Sequence, residues 1–143
     1  MAIDYYLDCA TMLSANGVAA QLEEVGKDSG VFDAPITSNR LMDGALTRLG
    51  TQLRVMTERP PQPCHPIVSG LGFTPTVGVG FRMAKGADVS DQQDDMLRLV
   101  VPLLDRIDGD TVLHFQFEEI WLLRRGAELT SFPARQPDRY SAK

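Results

Sequence analysis

Residues 3–9 alternate in character: Ile3, Tyr5, Leu7 and Cys9 share one phase while Asp4, Tyr6 and Asp8 take the other. Period two over residues 2–10 predicts a strand with one apolar and one wet face. In Leu13-Ser14-Ala15-Asn16-Gly17-Val18, Ser14 is a natural N-cap, and Leu13 and Val18 occupy the positions of a hydrophobic staple. Val18, Leu22 and Val25 continue at helical spacing, so a helix is expected from about Ala15 to Gly26, ending in the polar segment to Gly30. Residues 31–45 have no clear period and predict only an irregular or edge segment. From Leu49 to Thr57 the alternation returns and predicts a second strand. It stops at Pro60-Pro61, and the proline-rich stretch to Gly72 reads as an exposed loop. A third strand is expected over Thr76–Ala84, with Val77, Val79, Phe81 and Met83 inward and Gly78 and Gly80 on the opposite phase. Two glycines on one face imply a very close approach there, or a bend.

Ser90 and Gln93 have the spacing of a capping box, and Met96, Leu97, Val100, Leu103, Leu104 and Ile107 form an apolar stripe behind them. A helix over Asp91–Ile107 is expected, kinked or ended early by Pro102, with Gly109 beyond it as a stop. Leu113, Phe115 and Phe117 then alternate with Val112, His114 and Gln116 as a fourth strand. Ile120–Arg124 and Glu128–Phe132 form a hairpin around Gly126. The order β-α-β-β-α-β-β-β predicts an α+β single domain over residues 1–132, with a polar tail over 133–143. The expected architecture is a mainly antiparallel sheet with two helices on one face: a ferredoxin-like βαββαβ core plus a C-terminal hairpin.

Composition narrows the function classes. The 143 residues are 43% hydrophobic and 23% charged with a net charge of −5, which excludes a low-complexity chain and argues against capture of nucleic acid or anionic lipid. No apolar run approaches the ~20 residues of a bilayer span. The opening MAIDYY has no basic segment, so no secretory signal and a cytoplasmic location are expected.

Candidate chemistry is sparse. Cys9 falls on the apolar phase and reads as a small buried hydrophobe; Cys64 and His65 are adjacent, with no metal-ligand spacing around them. No metal, cofactor or catalytic constellation is assigned, and the chain is read as a non-enzyme. His114 lies on the wet phase of its strand and is read as solvent-facing. Glu118 and Glu119 would point to opposite faces of a strand and cannot easily form a dyad. Charge placement says more than the total. Residues 88–119 hold nine acids against two bases, and the rest of the chain is slightly basic. In part this is local: Asp91, Asp94 and Asp95 suit the first turn of a helix, and Asp94 has the spacing to pair with Arg98. The surplus predicts a negative patch able to steer a basic partner.

The scaffold pattern is itself suggestive: Met1-Ala2-Ile3-Asp4-Tyr5, Gly72-Phe73-Thr74-Pro75-Thr76, Phe81-Arg82 with Lys85, Asp95-Met96-Leu97-Arg98-Leu99-Val100, Gly109-Asp110 with Val112-Leu113-His114-Phe115, and Trp121-Leu122-Leu123-Arg124-Arg125. Together these resemble the SitI-type immunity proteins, small cytoplasmic proteins associated with swarming-inhibition toxins. The resemblance implies a non-catalytic inhibitor of a cognate protein toxin, one whose active cleft would be basic if the acidic patch is the docking face. Asp91, Asp94, Asp95, Glu118 and Glu119 are then the candidate partner-binding residues, with Trp121 as a candidate aromatic anchor set against a plain core role. A ligand-binding or enzymatic α+β domain with its site near Pro60–Gly72 is the alternative, and a homo-oligomeric module stays open.

Overall fold

The computed structural model describes residues 3–58, 72, 74–116 and 119–131. Seven strands and three helices follow in the order β1 (Asp4–Cys9), α1 (Ala15–Ser29), α2 (Ser38–Asp43), β2 (Ala45–Leu46), β3 (Gln52–Thr57), β4 (Val77–Arg82), α3 (Val89–Leu104), β5 (Thr111–Phe115), β6 (Glu119–Arg125) and β7 (Glu128–Ser131). The fold is α+β. All strands belong to one antiparallel sheet of order β2-β3-β4-β1-β5-β6-β7. The connection through α1 joins β1 to β3 across β4, and the connection through α3 joins β4 to β5 across β1.

The alternation of the strands decides which face the helices cover. Tyr5, Leu7 and Cys9 of β1, Leu53 and Val55 of β3, and Val77, Val79 and Phe81 of β4 are buried together with Val18 and Leu22 of α1, Leu41 of α2 and Met96, Val100 and Leu103 of α3. In α1 the Ser14 hydroxyl caps as expected, accepting from the Gly17 amide. The helix runs past Gly26, however, and ends at Gly30 in the left-handed conformation. Gly26 is an interior packing position instead: a Cβ there would lie 3.1 Å from the Phe32 ring.

Two further expectations change, and the early end that Pro102 predicts is found. The aperiodic segment 31–45 contains a third helix, α2, capped by Thr37, followed by the two-residue edge strand β2. Their shortness hides them, since six helical residues show less than two turns of period. The α3 cap is Asp88 and not Ser90: its carboxylate accepts from the Asp91 amide at 3.0 Å, and the helix begins at Val89. That register sends Gln92 inward, where its amide bonds Thr51 Oγ1, the Ala84 amide and the Ala84 and Ala87 carbonyls. Pro102 lies in the last turn of α3, which ends at Leu104, before Ile107.

The chain after α3 is tightly held. Arg124 of β6 donates to the carbonyls of Leu104, Ile107 and Gly109, satisfying acceptors that a helix end leaves open. Gly109 sits at φ +90, where a Cβ would meet the Ala10 carbonyl oxygen, so only glycine fits. Between β5 and β6 the register shifts at Leu113/His114, leaving Trp121 as the extra residue of a bulge. The bulge turns Trp121 into the core, edge-on to Tyr5 at 4.9 Å between ring centroids.

Candidate functional site

On the sheet face away from the helices, the pattern of sequence breaks. Asp8 and His114 occupy the phase expected to be wet, yet both are buried, with His114 fully inaccessible. The reading of His114 as solvent-facing is therefore corrected. His114 Nε2 lies 2.6 Å from Asp8 Oδ2, and the His114 ring stacks at a tilt on Tyr6, centroids 5.6 Å apart. Pairing explains the contact: Tyr6 opposes His114 and Asp8 opposes Val112 across β1 and β5, which puts the two side chains on a diagonal of the same face.

A third ionisable group completes the cluster. Glu58, just beyond β3, hydrogen-bonds Asp8, and burial together with that neighbouring carboxylate pushes its carboxyl up to about 9. Two acids so close share a proton, so Glu58 is neutral near pH 7. Its path to Asp8 crosses Gly78, where a Cβ would stand 3.1 Å from the Glu58 carboxyl carbon. The pair of glycines on β4 thus has the close-approach role their phase implied. Gly78 admits Glu58, and Gly80 admits Met56 and Tyr6, at 3.5 and 3.8 Å from where a Cβ would be.

Gly80 also floors a cavity of about 640 Å³ on this face, lined by residues of β1, β3 and β4 and walled by α2 and β2. Arg40, Arg54 and Arg82 project around it with Asp4 and Asp43. Arg82 forms an ion pair with Asp4 at 2.8 Å.

The acidic segment fares differently from its expected role. Asp95 is 1% exposed and forms a bidentate pair with Arg48 at 2.9 and 3.0 Å, plus a bond from Arg98 at 2.9 Å. It is a buried structural hub joining α3 to the turn before β3. Trp121 is likewise withdrawn from any surface: it is 2% exposed, and its indole donates to Glu119 Oε1 at 2.8 Å. Asp108 accepts from the Thr11 hydroxyl at 2.6 Å, which holds its carboxyl below the usual range. Asp110 accepts from the Gly126 amide and pairs with Arg125. Of the six candidates, Asp91 and Glu119 remain exposed and Asp94 half-buried, while Glu118 lies outside the described residues, as do Cys64, His65 and most of the Pro60–Gly72 loop.

Those three remaining acids are brought to one end of the molecule. Gln93 on the first turns of α3 bonds the Tyr5 hydroxyl at 2.6 Å, Tyr5 packs on Trp121, and Trp121 bonds Glu119. The same end holds Asp4 and Arg82, where β1 starts and β4 finishes and where the cavity opens. Cys9, as expected, is a fully buried free thiol, its pKa raised by desolvation. Sequence reasoning missed Asp8, Glu58, Arg48 and Arg124, each of which acts through a partner more than a dozen residues away.

This architecture belongs to a chain of the SitI3-like family, whose family model matches residues 3–136. The family expected from the scaffold residues is therefore the family found. No curated protein and no solved structure matches the chain. Among the described residues no helix is long and apolar enough to cross a membrane, and no three His, Cys, Asp or Glu side chains are grouped to hold a metal ion.

Proposed function

We propose that the chain is a non-catalytic immunity protein that binds and neutralises a cognate bacterial toxin domain in the cytoplasm. The observation that carries this reading is membership of the SitI3-like family over nearly the whole chain. The geometry supports it through the disposition of charge. Asp91, Asp94 and Glu119 stand at one end of the sheet, while Asp95, Asp108 and Asp110 of the same segment are engaged internally. A toxin with a basic active cleft would be steered toward that end, and its association would weaken with salt.

The test is co-expression with the product of the neighbouring reading frame. The neighbour alone should arrest growth, this chain should restore it, and the two should copurify. A harmless neighbour, or arrest that persists with both proteins present and folded, contradicts the reading. In the purified pair, Asp91→Lys with Asp94→Lys should slow association by roughly tenfold at low salt, with a smaller effect on dissociation.

A further inference from the structure

The cavity above Gly80 has an unbalanced set of charges. Three arginines face it against two aspartates, and Asp4 is already held by Arg82 at 2.8 Å. Arg54, which also lines the cavity, donates its Nε to the Met42 carbonyl at 3.3 Å, and its terminal nitrogens have no protein partner among the described residues. Among the described residues, the Arg40 guanidinium has no hydrogen-bond or ion-pair partner. Asp43 is the one aspartate left opposite these two cations. Against a chain of net charge −5, this is a local positive site set in a concave wall. Beside it, Leu46 of the edge strand is 60% exposed.

We propose that this cavity receives an acidic side chain of the partner protein, its carboxylate held between Arg40 and Arg54 and its flanking apolar surface covering Leu46. Guanidinium groups suit this task because their planar forks bind carboxylate in two parallel hydrogen bonds. The exposed leucine decides for a protein over a small free anion. A small anion gains nothing from an apolar side chain on the rim, whereas a protein surface buries it and shields the ion pairs from water. The site lies at the Asp4–Arg82 end of the sheet, where the acids of α3 and β6 also gather. One partner straddling that end would meet negative charge on the helix side and positive charge on the open side, a pattern that fixes orientation as well as attraction. This inference rests on the immunity reading, and names a second contact for the same partner.

The experiment titrates the product of the neighbouring reading frame into the wild-type chain, into Arg40→Glu with Arg54→Glu, and into Leu46→Asp, with a thermal unfolding curve for each. The double variant should bind at least about tenfold more weakly, and Leu46→Asp roughly fivefold more weakly, with unfolding midpoints close to wild type because all three side chains are exposed. Should the double variant fail to fold, Leu46→Asp alone decides. Wild-type affinity in both variants overturns the cavity while leaving the immunity reading intact; no binding by the wild-type chain overturns both. Inorganic phosphate and glutarate are titrated in parallel. Saturable micromolar binding that the double variant abolishes, with its toxin affinity unchanged, would make the cavity a small-anion site and overturn the proposal.

Discussion

On the helix side of the sheet, Leu7, Leu53, Val79 and Leu113 are buried against apolar helix residues. One residue along each strand, on the other side, stand Asp8, Arg54, Gly80 and His114. Both faces bury side chains, but by different means. The apolar face removes hydrocarbon from water and tolerates changes of shape within limits. The open face buries ionisable groups, each of which needs a partner of the right geometry to stay buried. The first kind of burial defines the fold, while the second holds polar groups on the face where the cavity lies.

The comparison is broken most severely by removing one member of the buried pair. His114→Ala takes from buried Asp8 the ring nitrogen that lies 2.6 Å from it and leaves a cavity, and should destabilise by about 3–5 kcal/mol, at least as much as the ~2–5 kcal/mol expected of Leu22→Ala on the helix side. Denaturant unfolding of both variants checks the ranking; a loss under about 1 kcal/mol for His114→Ala would mean the open face contributes little. A subtler break uses the two glycines. Gly78→Ala pushes the Glu58 carboxyl away from Asp8 and should lower stability by roughly 1–2 kcal/mol. Gly80→Ala meets only ordinary contacts at 3.5 Å and beyond, and should be neutral or stabilising by about 0.5 kcal/mol, since alanine narrows the unfolded ensemble.

The third prediction concerns pH. Glu58 is raised to about 9 in the folded protein and returns to an ordinary carboxyl, near 4.5, when the chain unfolds. Between those values the folded state binds more protons than the unfolded state, so the contribution of Glu58 is complete below about pH 4.5 and is lost as pH rises toward 9. Glu58→Gln removes that slope. Its stability relative to wild type should therefore improve steadily from pH 5 to pH 9, and a pH-independent difference would show that Glu58 is ionised in the fold. A small effect on stability is expected at the start of α3: Asp91→Lys with Asp94→Lys should shift it by no more than about 1 kcal/mol while slowing association, separating a docking role from a structural one.

The helix side was legible in the sequence because period-two strands and the α1 cap are local signals. The same patterns place Tyr5, Leu7, Val79 and Leu22 without knowledge of pairing. What was not legible depended on register. The alternation that sends Asp8 and His114 to one face says nothing of which strands adjoin, and only the β1–β5 pairing turns two polar positions into a buried pair. Asp95 was similarly ambiguous. Its place in the first turns of a helix looks solvated until Arg48, 47 residues earlier, is folded against it. The glycines were the exception on the open face, since lacking a Cβ is a signal of close approach that needs no pairing to read. Of the candidate surface, Asp91 and Glu119 are exposed and Asp94 half-buried, while Asp95 and Trp121 lie in the core.

The central claim is that the partner docks at the end of the sheet marked by Asp4 and Arg82, touching the acids on one side and the arginine cavity on the other. Hydrogen exchange on the chain alone and in complex with the neighbouring gene product tests it most directly. The account predicts added protection in two separate stretches, Ala45–Met56 around the cavity and Val89–Asp94 at the start of α3, with the edge strand Glu128–Ser131 unchanged. Protection confined to Glu128–Ser131, or to the α1 surface, in a complex that does form would contradict it.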